Sequence, residues 1–310
     1  MKVLSIHLTD LCNSECNFCV VASPLYTKDS VVYQDVLSFL DHHRGDGYEA
    51  VNLHGGEPTI HPHFLDTLEY IHKLGYPEVH LQTNGIKLAN RGFVEQLIAH
   101  GVRKFIISLH GDSPDVHDSQ THTKGGFSKT ISGIRNVKEL GAHVRTNTVI
   151  TAQNLIHLTK IASLCCELGV DHLNFSNLHP VGSARFSRSR IMPAFGRIRE
   201  SLYPALDVAL ERCRVVTLEG FPYCTIGEKY KHLHLTAEYR EVKLLIRGQI
   251  ISDYDTFMRN DMSAFGDQCQ HCWAKSRCGG VYPEYVDYYG WSEFASTSAP
   301  ALSTEVAAST

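Results

Sequence analysis

Short apolar runs alternate with amphipathic stretches from residue 3 to about residue 180. The apolar runs at 3–8, 50–54, 78–82, 104–109, 143–150 and 172–176 have strand length and lie between turn-forming residues. The stretches at 33–43, 62–74, 91–100, 127–140 and 154–168 carry helical periodicity. A regular strand–helix alternation calls for parallel strands joined by helical crossovers. Six such units predict an α/β fold, a partial (β/α)6 TIM-like barrel over residues 1–190. In barrels of this kind the chemistry gathers at the C-terminal ends of the strands.

The pattern changes after residue 190. Residues 193–214 read as a helix and 215–219 as a short strand. From there to 294 the chain is irregular, aromatic and cysteine-bearing, which predicts a C-terminal extension over 191–294. Residues 295–310 are Ala, Ser and Thr with a single charge, too poor in apolar groups to fold, and are predicted to be a disordered tail.

Composition narrows the classes. A 310-residue chain with 43% hydrophobic and 20% charged residues is that of a globular protein. The net charge of −4 gives no electrostatic case for nucleic acid or an acidic membrane. No apolar run approaches the roughly 20 residues that span a bilayer. The sequence opens straight into a strand, so no secretory leader is expected, and a cytoplasmic location follows. Ten cysteines in that setting argue for reduced thiols serving metal or catalysis, not a disulfide frame. Among nineteen histidines, His7, His54 and His110 stand at predicted strand ends.

The decisive motif follows the first strand: Cys12-Asn13-Ser14-Glu15-Cys16-Asn17-Phe18-Cys19. Thiolates are soft ligands suited to zinc or to iron–sulfur clusters. A closed zinc site needs four ligands, and here three are local, so a zinc site completed by a distant histidine is the alternative. Three thiolates on a four-iron cluster leave one iron open. Gly55-Gly56-Glu57-Pro58 follows the second strand, Thr83-Asn84-Gly85 the third and Ser108-Leu109-His110-Gly111 the fourth, with Asn147 on the fifth. The two glycines permit close backbone approach to a ligand, and Glu57 offers an acceptor for an ammonium.

Together these motifs resemble the radical S-adenosylmethionine (radical SAM) superfamily over roughly residues 1–180. The resemblance implies a [4Fe–4S] cluster on Cys12, Cys16 and Cys19, whose open iron chelates the SAM amino and carboxylate groups. It implies SAM contacts from Gly55, Gly56, Glu57, Thr83, Asn84, Ser108 and Asn147, with Phe18 near the adenine. It further implies reductive SAM cleavage to a 5′-deoxyadenosyl radical, with an electron donor such as flavodoxin or ferredoxin.

A second group, Cys224, Cys269, Cys272 and Cys278, has a C-x2-C-x5-C core followed by two glycines. Four thiolates can close a zinc site. Beside a radical SAM motif the pattern resembles the SPASM and twitch extensions, which implies one auxiliary [4Fe–4S] cluster. The match departs after Cys278, where Gly279-Gly280-Val281-Tyr282 replaces a further cysteine. Such a cluster either carries electrons or staples a loop-rich region. Cys165, Cys166 and Cys213 fall in helical patterns and read as small buried core residues, or as a hydrogen-atom donor.

The expected function is abstraction of a hydrogen atom from a small natural-product substrate. The substrates expected are a sugar, aminoglycoside or nucleoside of an antibiotic pathway, and the outcome dehydrogenation, epimerisation or decarboxylation. With strand one at residue 3, no leader-binding domain is expected ahead of it, which sets a peptide maturase second. A non-catalytic zinc-binding protein is the reading from another class.

Overall fold

The computed structural model describes residues 1–234 and 241–297. Among the described residues nine strands make one sheet: β1 (Lys2–His7), β2 (Ala50–His54), β3 (Glu78–Thr83), β4 (Val102–Ser108), β5 (His143–Ile150), β6 (His172–Asn177), β7 (Val215–Glu219), β8 (Glu241–Ile246) and β9 (Gln249–Ile251). Their spatial order is β7-β6-β5-β4-β3-β2-β1-β8-β9. Every neighbouring pair is parallel except the terminal β8–β9 hairpin. The sheet stays open, with β7 and β9 as its edges.

Helices α1 (Tyr33–His42), α2 (Phe64–Leu74), α3 (Arg91–Ala99), α4 (Pro114–Thr121), α5 (Gly126–Glu139), α6 (Leu158–Glu167), α7 (Ala184–Ile191) and α8 (Phe195–Arg212) fill the crossovers. Successive strand residues point to opposite faces, and the two faces differ in chemistry. Leu4, Leu53, Leu81, Phe105, Ile107, Leu173 and Phe175 are fully buried, and core residues Leu68, Val94, Leu97, Ile134 and Ile161 come from the helices. Thr146 Oγ1 donates to Cys165 Sγ of α6 (3.5 Å), which sets that side of β5 towards the helices. The alternate positions, among them Ser5, Asn52, Asn147 and Asn174, form a polar face on the other side.

The six predicted strands are all present. The division expected at residue 190 does not interrupt the sheet. Helix α8 buries Ile198, Leu202, Ala205, Leu206 and Ala209, and β7 then pairs with β6 as a seventh parallel strand. Beyond it, β8 returns to pair with β1, aligning Val3 with Val242 and Ser5 with Leu244. The extension is also less irregular than expected, since it holds the hairpin, α9 (Tyr254–Asn260) and α10 (Pro283–Tyr289). The disorder expected for 295–310 falls largely on 298–310, outside the described residues. Residues 295–297 are described and reach the second cysteine group.

One expectation about the cysteines is corrected. Cys165 is a fully buried core residue, as read. Cys166, at the end of α6, and Cys213, just after α8, are instead joined in a disulfide. Packing of α6 against α8 brings together two residues 47 apart in sequence, a proximity that helical periodicity does not reveal. The remaining eight cysteines are free. Metal-stripped protein, denatured without reductant, is therefore expected to titrate eight thiols, rising to ten after reduction. Ten thiols before reduction would remove the bridge.

Candidate active site

The first cysteine loop leaves β1 and is held from several sides by backbone hydrogen bonds. Glu15 N donates to Thr121 O (3.0 Å) and Asn17 N to Gln120 O (3.1 Å). Those carbonyls lie at the end of α4, where a helix leaves its last acceptors without intrahelical partners. Ser183 N donates to Cys19 O (2.8 Å), and Asn17 Nδ2 to Gln153 Oε1 (2.8 Å). Helix α4 is missing from the periodicity reading, although Ser113 and Pro114 carry a helix-start signal.

Burial, and next the Glu57 charge, push the Cys12 thiol up to about 12. Burial followed by Cys19 and Cys12 raises Cys16 as well, so the three sulfurs sense one another. Desolvated thiolates of like charge are unfavourable alone and become favourable on a cation that compensates them. Thiol donors of this kind are chemically suited to an iron–sulfur cluster, although among the described residues no three His, Cys, Asp or Glu side chains stand grouped to hold a metal ion.

The glycine motif after β2 supports that loop. Gly56 N donates to Thr9 O (2.7 Å) and Glu57 N to Leu11 O (2.8 Å). A Cβ on Gly55 would stand 2.4 Å from Thr9 O, and one on Gly56 2.1 Å from Leu11 O. The close approach expected towards a ligand is thus an approach to the backbone that presents Cys12. Glu57 is fully buried. Its Oε1 accepts from Thr59 N (3.2 Å), Thr59 Oγ1 (2.6 Å) and Thr83 Oγ1 (2.7 Å), and its Oε2 from Asn84 N (2.7 Å). Burial raises its pKa against these donors. Its carboxylate therefore ties the ends of β2 and β3 together, where the sequence reading made it an acceptor for ammonium. Asn84 carries the tie onward, with Nδ2 donating to Asn13 Oδ1 (2.6 Å) and lying 3.9 Å from Cys12 Sγ.

Ser108 and Asn147 are register partners on β4 and β5, both half-buried. Asn147 Oδ1 accepts from Asn174 Nδ2 (2.8 Å) and Ser176 Oγ (2.6 Å) on β6. Phe18 is buried edge-on against His110, with ring centroids 4.6 Å apart. Burial drives the His110 pKa well down and takes His54 to about 3, so both rings are neutral near pH 7. His110 holds the interior together: its Nδ1 accepts from Val149 N (3.3 Å) and its carbonyl from Gln120 Nε2 (2.9 Å).

Cys224, Cys269, Cys272 and Cys278 all line one apolar cleft with Tyr223, Phe265 and Phe294. Cys278 Sγ accepts from Tyr223 N (3.3 Å) and Gly280 N (3.4 Å). Cys272 Sγ accepts from Thr297 N (3.4 Å) and contacts Thr297 Oγ1 (3.1 Å). Burial raises the Cys272 thiol, but the donors of Thr297 and Ala274 outweigh it and hold the pKa below its usual value. Burial raises Cys224 and Cys269. Sulfurs that line one cleft and receive backbone N–H bonds have the chemistry of cluster ligands, and such bonds set a cluster's potential.

Long-range supports escaped the sequence reading. Arg247, at the tip of the β8–β9 hairpin, donates to Asp10 Oδ1 through Nε (2.8 Å), and Asp10 also receives His7 Nε2 (2.9 Å). The loop after β6 touches both cysteine groups. Its Ser183 meets Cys19, and His179 stacks on Tyr282, four residues beyond Cys278, at 3.9 Å between centroids. No local signal pairs residues so distant.

The family model described as the Radical SAM superfamily matches residues 6–165. That is more than half of the chain, and the protein belongs to this superfamily. Membership implies a [4Fe–4S] cluster and SAM. Over 188 residues it is 31% identical to a Saccharolobus solfataricus protein named Probable GTP 3′,8-cyclase, a match spanning 60% of each chain. A Sulfurisphaera tokodaii protein of the same name is 28% identical over 180 residues, 58% of this chain and 56% of that one. The chain thus spans about three fifths of the length of these curated relatives. Its fold is similar to that of Streptococcus suis SuiB bound to S-adenosylmethionine, with a TM-score of 0.68 at 16% identity, covering 96% of this chain and 76% of that one. At that identity the likeness is one of fold. Among the described residues, no helix is long and apolar enough to cross a membrane.

Gly56 gives the site its sharpest test. A methyl group there meets the Leu11 carbonyl at 2.1 Å, and backbone must shift. Gly56→Ala is expected to cut iron retained at the first cysteine loop by at least half and to lower stability by about 1–3 kcal/mol. Unaltered iron and melting temperature would show that the contact is dispensable.

Proposed function

We propose that the protein reductively cleaves SAM and abstracts a hydrogen atom from a small natural-product substrate. What supports this reading is the Radical SAM superfamily match over residues 6–165, together with the loop that carries Cys12, Cys16 and Cys19 just after β1. Cys12, Cys16 and Cys19 would hold the cluster, which with SAM bound and one electron from a flavodoxin or ferredoxin would supply the chemistry of reductive SAM cleavage. The chain's own residues position and enclose. Glu57 and Asn84 fix the cysteine loop against β2 and β3. Gly55 and Gly56 keep their backbone close beneath it. Ser108, Asn147, Thr83 and Phe18 are the groups assigned to the nucleoside and carboxylate of SAM.

On this reading residues 1–190 are the SAM-cleaving core and 191–294 the extension, and Cys224, Cys269, Cys272 and Cys278 hold a second [4Fe–4S] cluster. An oxidative outcome is favoured over thiol-quenched epimerisation. Cys166 and Cys213 are joined to each other, and Cys165, on α6, meets Thr146 on the helix side of β5, away from the polar face. The relatives' names support a small molecule over a peptide. A cytoplasmic location suits thiolate-held clusters, although a disulfide is uncommon there.

Anaerobic reconstitution is expected to yield about eight irons per chain, four for each cluster. Replacing Cys12, Cys16 and Cys19 with Ala should leave about half and stop 5′-deoxyadenosine release from SAM. Replacing Cys224 and Cys272 should likewise remove about half of the iron. A colourless zinc protein, or 5′-deoxyadenosine made by the triple variant, would end this reading.

A further inference from the structure

Strands β5, β6 and β7 share a chain of side-chain hydrogen bonds on the polar face of the sheet, and the chain has a fixed direction. It starts at Glu219, the last residue of β7, whose Oε2 accepts from Arg145 Nη2 (2.8 Å) and from Asn174 Nδ2 (2.9 Å). A carboxylate paired with a guanidinium only accepts. The atom that Asn174 turns to it must therefore be the amide nitrogen. A second partner sets the same orientation from the other end of the amide. Thr217 Oγ1 donates to Asn174 Oδ1 (2.6 Å), and with that proton committed its oxygen accepts from His172 Nε2 (2.6 Å). Burial, and next the Arg145 charge, takes His172 to about 3, so its ring is neutral and has one N–H to give. Asn174 is fully buried, with no water to offer it another arrangement.

The order passes from Asn174 to Asn147. Asn174 Nδ2 donates to Asn147 Oδ1 (2.8 Å), and Ser176 Oγ donates to the same oxygen (2.6 Å). Two donors fill the two lone pairs of an amide oxygen. An Asn147 turned over would set its N–H groups against those of Asn174, two donors with no acceptor between them. Its Nδ2 is thus the outer end, and it makes no hydrogen bond among the described residues. Asn147 is half-buried, and the hydroxyl-bearing Ser108 is its register partner on β4.

We propose that Glu219, Asn174 and Ser176 are positioning residues that hold Asn147 with its Nδ2 as a donor to bound SAM, so that Asn147 meets an oxygen acceptor, either the carboxylate or a ribose oxygen. The inference rests on the assignment of Asn147 to SAM and adds what sets the polarity of that contact. An amide held this way has no lone pair to offer the SAM ammonium or the adenine amine. Glu219 acts through Asn174 and touches no ligand in this role.

SAM affinity of the reconstituted holoenzyme, measured anaerobically by equilibrium dialysis, tests it. Asn147→Ala is expected to weaken binding about five- to tenfold. Ser176→Ala removes one of the two donors to Asn147, and Glu219→Ala leaves Asn174 without its acidic anchor. Each should weaken SAM about threefold or more. In the Asn147→Ala background neither should add more than about a further twofold, because residues that act through one group are not additive. A general packing defect would exact its full penalty on either background. 5′-Deoxyadenosine, which has the ribose and no carboxylate, separates the two acceptors: the same losses with this probe assign a ribose oxygen, and losses confined to SAM assign the carboxylate. Circular dichroism melting checks that the variants are folded; if Glu219→Ala is not, Ser176→Ala carries the cycle. Additive losses, single variants that bind SAM as wild type does, or an Asn147→Ala enzyme of normal affinity would overturn the proposal. If the wild-type enzyme in that case binds SAM and releases 5′-deoxyadenosine, the function proposed above stands. If wild type binds no SAM, that function falls and the positioning role falls with it.

Discussion

A carboxylate without access to water holds the mouth of this barrel together. Glu57 gathers donors from Thr59, Thr83 and Asn84, and so joins the ends of two adjacent strands at one point. Removing a partner would leave a buried charge or a buried donor unmatched, an expensive defect. The cysteine loop depends on this knot twice. Its backbone is gripped by Gly56 N and Glu57 N, and Asn84 meets its residues 12 and 13 from the other side. Three thiols on an irregular loop can keep a common orientation because the loop rests on a rigid, satisfied polar core.

Most of the central fold was legible in the sequence. Parallel strands buried beneath helices leave apolar runs of strand length, and these mark β1 to β6 closely. The cysteine motif and its glycine partner were equally clear, since each is compact and local. What escaped reading depends on contacts between distant parts of the chain. Strand β8 is apolar enough to notice, but nothing nearby says that its partner is β1. The link from Arg247 to Asp10 spans 237 residues. The hydrogen bonds that Glu57 makes within the fold escaped reading, because a motif reveals which residue is present and not which way its oxygens face. The disulfide between Cys166 and Cys213 follows from helix packing alone.

The two cysteine groups are built differently. The first is an open loop with three thiols, suspended between α4, the glycine turn and the loop after β6. The second is a cleft closed by aromatic rings, with backbone N–H groups directed at two of its sulfurs. The loop after β6 adjoins both regions, through Ser183 against Cys19 and through His179 stacked on Tyr282, four residues beyond Cys278.

The pairing of β8 with β1 bears on how the chain is made. Strand β1 is made well before β8, yet one of its edges has no neighbour until residue 246 has been synthesised. Until then the strand carrying the cysteine loop offers unpaired backbone groups, a hazard for association with other chains. The hairpin that finally covers it also brings Arg247 to Asp10, two residues before Cys12. The loop that carries the first cysteines thus gains its last supports only from a hairpin more than two hundred residues further along the chain.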